Sequence, residues 1–375
     1  MSKEYDQIAN VSIDIASAVT NGTSFDNILI IGALPTIAPT TAPAQLGVYT
    51  SLDEVISAGW VATGSEADPV GIAARVAFSQ SHAPARIYIA PIQTSGSGDD
   101  VVAESAVTTL NRALESMDWW ALCPVDVAAS ELKALADVIE INERAMIYND
   151  TTFFDINRPA VNGGTYYRSI GIFAKETSAQ EDSDIPTMNK VAANVAWAVE
   201  WLYYRSGSET AAFKELTLIE PATLTPTEIN ALKTANMNHV SHIGGKNVVM
   251  NGKTLGGEWC DIIRFRDWIK NDVQYNVVRL FTTTPKIPYL DNGIALIQNV
   301  MEQSLKNGQD IGGIADDEYT DDGDVTYGYT VFVPRAAEIS DVDKAARVIN
   351  GLRFVARLSG AIHFAEIRGT LAYSL

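Results

Sequence analysis

Short apolar runs and helical repeats alternate through the first two thirds of the chain. The runs have the length of buried strands, and the segments between them carry apolar residues every three or four positions, as amphipathic helices do. This order predicts βαβ units and a mainly parallel sheet that helices cover on both faces. The predicted strands start at Ile28, Arg86, Trp119, Ala145 and Ile170, and the predicted helices span 69–79, 101–116, 130–142 and 187–204.

A Pro- and Thr-rich passage at 220–226 separates this part of the chain from the rest. It leads into a short helix for which Thr225 is a suitable N-cap. We place a domain boundary just after that helix, near residue 240. The chain is thereby divided into an N-terminal arm at 1–24, an α/β domain at 25–240 and a further domain at 241–375.

The last third has the pattern of an α+β domain. Asn251-Gly252 is typical of a type I′ turn and predicts a hairpin at 248–255. A long helix follows, with one apolar face. That face comprises Ile262, Phe265, Ile269, Val273, Val277 and Leu280. The remaining predicted elements are a helix capped at Asp291, a strand at 327–333, a short helix opened by Ser340 and a β-rich stretch at 352–373.

Both chain ends carry strand patterns that have no local partner. Apolar and polar residues alternate at 11–15, and the terminal stretch is apolar on both sides, so both of its faces need cover. Unpaired strand edges either aggregate or are completed by another chain. We therefore predict that both ends are arms that pair with neighbouring subunits. The arm residues are Val11, Ile13, Ile15, Ile362, Phe364, Ala365, Ile367, Leu371 and Tyr373, and the C-terminal arm spans about 361–375.

Composition and charge narrow the class of protein. A 47% hydrophobic fraction in 375 residues is enough for a large core. The net charge of −19 argues against nucleic acid as a partner, because phosphate binding needs a basic surface. The chain shows neither a membrane-spanning apolar run nor a signal-peptide pattern. We expect a protein made in a cytoplasm, without membrane insertion, whose acidic first two thirds face solvent.

Candidate catalytic and metal-binding groups are few. Cys123 and Cys260 lie in apolar settings typical of buried thiols, and His239 and His242 lack a third metal ligand nearby. His363 alternates with apolar neighbours in the terminal strand, where a pairing position is expected. The acidic run from Asp316 to Asp324 lacks the EF-hand register. We expect no metal and no catalytic residue.

A glycine-rich turn provides the best nucleotide-binding candidate. Gly96 and Gly98 form a G-x-G, but the third glycine is missing, and Asp99 and Asp100 would repel a phosphate. We expect no cofactor. The alternative interpretation is an α/β enzyme or nucleotide-binding protein with a site at the strand carboxyl ends near Ile31 and Ala90.

The C-terminal third resembles the tail sheath proteins of contractile bacteriophages and of related injection machines. Several blocks occur in the order of that family over about 120 residues. They are Gly252-Lys253-Thr254-Leu255-Gly256-Gly257-Glu258-Trp259-Cys260-Asp261, Arg264-Phe265-Arg266-Asp267-Trp268-Ile269-Lys270, Lys286-Ile287-Pro288-Tyr289-Leu290-Asp291-Asn292-Gly293-Ile294, Ala345-Ala346-Arg347-Val348-Ile349-Asn350-Gly351-Leu352-Arg353-Phe354, Gly360-Ala361-Ile362-His363 and Ile367-Arg368-Gly369-Thr370.

The resemblance implies a structural subunit and not an enzyme. Such subunits stack as rings in a helical sheath around a tail tube, then contract by rigid-body rotation and drive the tube through the host envelope. Their core domain is made from the N-terminal arm and the C-terminal third and lies against the tube, the α/β domain lies outside, and the arms add strands to neighbours. The implied partners are further copies, the tail tube protein, and the baseplate and tail terminator proteins, in a virion assembled in a bacterial cytoplasm. Arg264, Arg266 and Lys270 are expected to face the tube.

Overall fold

The computed structural model describes residues 25–37, 43–96, 100–116, 118–154, 166–175, 188–319 and 322–366. The N-terminal arm at 11–15 and the arm residues Ile367, Leu371 and Tyr373 lie outside these ranges. No helix among the described residues is long and apolar enough to cross a membrane.

An eight-stranded sheet forms the centre of the α/β region, and the predicted mainly parallel α/β fold is confirmed. Its strands are β1 (Ile28–Ala33), β2 (Gly47–Tyr49), β3 (Ile87–Ile92), β6 (Ala121–Pro124), β7 (Ala145–Asn149), β8 (Ser169–Phe173), β9 (Asn238–Ile243) and β10 (Lys246–Met250); the short strands β4 (Thr94–Ser95) and β5 (Val102–Ala103) pair separately. Six strands run parallel in the order β3-β1-β6-β7-β8-β9, and the antiparallel strands β2 and β10 form the two edges.

Helices cover both faces of this sheet. Ile28 and Ile30 of β1 face one apolar cluster, whereas Leu29 and Ile31 face the other, because successive strand residues point to opposite sides. Helix α1 (Leu52–Ser57) comes first in the chain. The first face carries α2 (Pro69–Phe78) and α5 (Met188–Leu202). The second face carries α3 (Ala106–Ser116), α4 (Ala129–Glu140) and α6 (Pro226–Thr234). The cap predicted at Thr225 is confirmed, since its hydroxyl accepts from the Glu228 N–H.

The C-terminal region is built on a pair of long helices. The apolar side chains between these helices form the third apolar cluster of the chain, which packs against a two-stranded sheet. The other described β-structure of this region is a short hairpin. The elements are α7 (Cys260–Thr283), α8 (Asp291–Ile311), β11 (Glu318–Tyr319), β12 (Val325–Thr326), β13 (Tyr329–Phe332), α9 (Asp341–Ala346) and β14 (Arg353–Ala356). Ser340 caps α9 as predicted. The predicted cap at Asp291 is wrong, because Asp291 is the first residue of α8 and its carboxylate accepts from the Ala336 N–H instead.

The sheet continues past the predicted domain boundary at residue 240. That boundary falls inside β9, and β10 completes the sheet edge, so the α/β region extends to about residue 259. The hairpin turn is also earlier than predicted. Gly244 and Gly245, with φ of +61° and +81°, join β9 to β10, while Asn251-Gly252 forms a second left-handed turn after the hairpin.

Candidate assembly site

Helix α7 lies across the amino ends of the central parallel strands. Its residues 264, 267 and 270 are three positions apart and contact the segments just before β1, β6, β7 and β8. The first turn of α7 belongs to the apolar cluster of the sheet through Cys260 and Ile263, and the rest belongs to the C-terminal cluster. The helix therefore joins the two regions of the chain.

Asp267 is the centre of a buried charged network at this junction. The Arg168 guanidinium donates to both Asp267 oxygens at 2.8 and 2.9 Å, and the Trp120 indole N–H donates at 3.0 Å. Arg266 adds a bond of 3.2 Å. Burial alone would raise the pKa of Asp267, but Arg168, Arg266 and the Trp120 hydrogen bond lower it below the ordinary value. The carboxylate is therefore held ionised.

A second buried pair lies one turn further along α7. Lys270 Nζ is 3.1 Å from Glu143 Oε1, and both side chains are buried. Burial raises the pKa of Glu143 to about 8, although Lys270 opposes this shift. Glu143 is also held at φ +42°, which is unusual for a residue with a side chain. The junction therefore contains one carboxyl group held ionised and one that favours its protonated form.

The structure buries the three residues predicted to face a tube. Arg264, Arg266 and Lys270 are 2%, 6% and 4% exposed. Arg264 donates to the backbone oxygens of Phe25 and Leu202, and burial lowers its pKa to about 10. A surface that binds another protein needs accessible groups, so these contacts favour a role within the chain. Contact with a tube stays a prediction for these residues.

The β13–β14 pair is an open sheet on the surface of the C-terminal region. Tyr329 and Phe354 face the helix pair, whereas Phe332 and Val355 are 38% and 58% exposed on the outer face. Within the described residues, these strands pair with each other and with no third strand. Two strands alone are marginally stable in water, and both outer edges present unpaired backbone groups. The sheet can accept further strands.

The segment after β14 follows the surface of its own chain. Leu358 forms a bridge with Ile314, and the Ser359 N–H donates to the Gly313 oxygen at 3.2 Å. The described residues of the predicted C-terminal arm, Ile362, Phe364 and Ala365, are exposed and form no strand within the chain. The β-rich stretch predicted at 352–373 is therefore a strand only at its start in the part that the structure describes.

The alternative interpretation, an enzyme or nucleotide-binding protein, places a site at the carboxyl ends of the parallel strands. A ligand in such a sheet binds where the strand order reverses, here between β1 and β6. A Cβ added to Gly32 at this point would lie 2.5 Å from the Val70 side chain and 3.0 Å from the Val125 oxygen. Gly32 is therefore packed closely against these residues, with no room for a side chain of its own. Between β6 and β7, the Asn194 amide donates to the Pro124 and Ile147 oxygens at 2.9 and 3.0 Å.

The other sequence candidates take ordinary structural positions. His239 and His242 lie on β9 three residues apart, so they point to opposite sheet faces. Gly96 follows β4, which pairs with β5 in a hairpin, whereas a phosphate loop would lead from a strand directly into a helix. Among the described residues, no group of three metal-ligating side chains lies close enough to hold an ion. Both cysteines are buried thiols.

Sequence reasoning missed the partners of α7. Arg168 and Glu143 are 99 and 127 residues from their partners on the helix. The three-residue spacing of Arg264, Asp267 and Lys270 was visible as a polar stripe. A stripe of this kind is normally a solvated face, and only the fold shows that it lies beneath the strand ends.

Comparisons with known proteins agree with this architecture. Residues 260–371 match the family described as E217 tail sheath protein gp31-like, C-terminal domain. A chain in the cryo-EM structure of the anti-feeding prophage baseplate aligns with a TM-score of 0.69 and 14% identity, covering 97% of this chain and 98% of that one. No curated protein matches the chain in sequence.

Two further solved structures share the fold. The contracted sheath complex of PVC, an extracellular contractile injection system, aligns with a TM-score of 0.68 and 12% identity over 97% of this chain and 98% of that one. The sheath tail protein of Desulfitobacterium hafniense gives 0.54 and 12% over 86% and 93%. The fold of the whole chain and the family match at 260–371 thus confirm the resemblance of this chain to contractile tail sheath proteins.

Proposed function

We propose that the chain is a structural subunit of a contractile sheath. Copies stack as rings into a helical polymer around a tail tube, and contraction of the polymer drives the tube through the host envelope. The match of the C-terminal third to a tail sheath domain carries this proposal. The role needs no catalytic group, because new contacts between subunits supply the free energy of contraction.

The open sheet supplies the physical reason for polymerisation. Within the described ranges, the outer edges of β13 and β14 pair with no strand and can accept one, and the pattern at 11–15 and 361–373 provides strands in need of partners. A strand given to the next copy and a strand received from the previous one make a heterologous contact, which builds open helical polymers. The arms are therefore the connections between subunits.

The remaining partners and the location follow from the same role. The sheath surrounds the tail tube protein and meets a baseplate at one end and a terminator protein at the other. The polymer belongs to the tail of a virion or of a phage-like particle and is assembled in a bacterial cytoplasm. The acidic α/β region faces solvent on the outside of the sheath, where its negative charge keeps particles apart.

Electron microscopy of the purified chain at high concentration, with and without tail tube protein, tests the proposal. We expect tubes or stacked rings with a helical repeat. A variant that lacks residues 361–375 is the matched control and should remain as single subunits. Discrete monomers or small closed oligomers of the wild-type chain under all conditions would favour the enzyme alternative.

A further inference from the structure

His363 fastens the segment 361–366 to the body of its own chain. Its Nε2 shares a hydrogen bond of 2.8 Å with the Thr210 hydroxyl. The imidazole also packs in a T-shaped arrangement against two aromatic rings. The distance between ring centroids is 4.6 Å to Trp259 and 5.2 Å to Phe213. We call Thr210, Phe213 and Trp259 the socket. One polar side chain is thus held from three directions.

The backbone of the socket is strained where it meets the histidine. Phe213 has a φ of +61°, a conformation that costs a bulky residue free energy, and its N–H donates to the Val249 oxygen at 2.7 Å. Strain of this kind persists only where surrounding contacts maintain it. Lys253 lies over the Trp259 ring at 4.8 Å and adds a further contact to the socket.

The residues on either side of His363 are displayed to solvent. Ile362 is 90% exposed and Phe364 is 81% exposed. A free tail would expose such side chains at no fixed place, but the socket fixes their position. Two large apolar side chains held outward beside an anchored histidine form a contact surface that a second molecule can cover.

The length of the chain after the socket limits where that molecule lies. Ile367 is the first arm residue beyond the described segment and is four residues from His363. Four extended residues span at most about 14 Å. If residues from Ile367 onward lie on a neighbouring subunit, as the proposed function requires, that subunit must come within this distance of the socket. The pair Ile362 and Phe364 then lies in the contact.

We propose that His363 is a positioning residue that clamps the root of the C-terminal arm, and that Ile362 and Phe364 contact a second copy of this chain beside the socket. The freely departing arm then begins near residue 367 and not at 361. This inference rests on the proposed function, but the clamp itself is a property of the single subunit and can be measured there.

Hydrogen exchange of the unassembled chain tests the clamp. His363→Ala should raise exchange of the Arg357 and Ser359 amides, which donate to the Gly328 and Gly313 oxygens just before the clamp, about tenfold, because it removes a hydrogen bond and two ring contacts. Thr210→Val, which removes only the hydrogen bond, should give a smaller rise. Ile362→Ser with Phe364→Ser is the matched control and should leave exchange unchanged, since these side chains face solvent. Unchanged exchange in His363→Ala would overturn the clamp.

Site-specific labelling tests the neighbour contact. Both native cysteines are fully buried, so a dye will react at an introduced cysteine. A dye on Ala361→Cys should lose most of its quenching by iodide when the chain assembles. A dye on Ile141→Cys, 70% exposed at the end of α4, is the control and should remain quenchable.

Assembly assays complete the test. His363→Ala and the double serine variant should both need about a tenfold higher concentration to polymerise. Two results would overturn the neighbour contact. One is a polymer in which the dye at position 361 is quenched by iodide as strongly as the dye at position 141. The other is a His363→Ala chain that assembles at the wild-type concentration. A wild-type chain that never polymerises would refute the proposed function, and the exchange measurement would still decide the clamp.

Discussion

The sheet region (residues 25–259) and the C-terminal region (residues 260–366) differ in how their strands are hydrogen-bonded and buried. In the first, the parallel strands β1, β3 and β8 are bonded on both sides and almost wholly buried. In the second, β13 and β14 alternate between partly buried and exposed positions, and among the described residues each pairs with no strand but the other. One region is complete as a single chain, whereas the other presents surfaces that a further chain can complete.

Removing the arms tests this difference most severely. Deletion of 361–375, or of 11–15, should abolish assembly, because the β13–β14 edges lose the strands that join the copies. The subunit should stay folded, since the sheet and the helix pair build the apolar clusters of the described residues, and the described arm residues Ile362 and Phe364 are exposed. Electron microscopy and thermal unfolding measure the two effects. Ile367→Asp should weaken assembly in the same direction.

Two results would contradict that prediction. Polymers formed by the truncated chains would show that the arms are dispensable. Unfolding of the truncated subunit would show that the arms pair within their own chain, and the contrast between the two regions would then disappear.

Asp267→Ala should have the largest effect on stability. The change leaves Arg168 and Arg266 buried without their carboxylate, which typically costs about 3–5 kcal/mol. Urea unfolding measures the loss. The matched control is Asp310→Ala on α8, where the exposed pair with Lys306 should contribute little, so the midpoint should not move. Equal midpoints for the two variants would refute a stabilising junction.

Stability should fall as pH rises through the range in which Glu143 ionises. Its carboxyl has an unfolded pKa near 4.5 and a folded pKa of about 8, so the folded state binds more protons between these values. The free energy of unfolding should therefore decrease by at most about 1.4 kcal/mol per pH unit in this window. Denaturation at pH 5 to 8.5 measures it. Glu143→Gln keeps the neutral form and should flatten the profile; an unchanged slope would assign it to other groups.

Loss of a helix cap should have the smallest effect and should differ between the regions. Helix α6 places Leu232 in the sheet core, so Thr225→Ala should lower the free energy of unfolding by about 1 kcal/mol. Helix α9 buries none of its residues, so Ser340→Ala should leave global unfolding unchanged. Equal losses from the two variants would show that α9 is as firmly integrated as α6.

Local patterns allowed much of the fold to be predicted. Several elements lie within a few residues of their predicted limits: the strands at Ile28 and Ala145 and helices α2, α4 and α5. The spacing of apolar residues along the chain indicates which faces of these elements are buried. The boundary predicted near residue 240 falls inside β9. It marked the move from parallel strands to an antiparallel edge hairpin, and not the end of the sheet.

The candidate site depended on distant residues and could not be predicted in the same way. Asp267 and Arg168 meet only because the sheet brings the amino ends of its strands to one helix. His363 meets Thr210 from 153 residues away. The arm residues at 11–15, 367, 371 and 373 stay predictions, since they lie outside the described residues.

The sharing of α7 between two apolar clusters limits how a subunit can deform. The helix has 24 residues and is about 36 Å long, and it contributes to the sheet core at one end and to the C-terminal core at the other. A hinge between the two regions would have to bend this helix or expose the charges beneath it. A hinge motion between the two regions of the subunit would therefore cost considerable free energy. In the proposed sheath, a change of length would then come from altered angles between subunits.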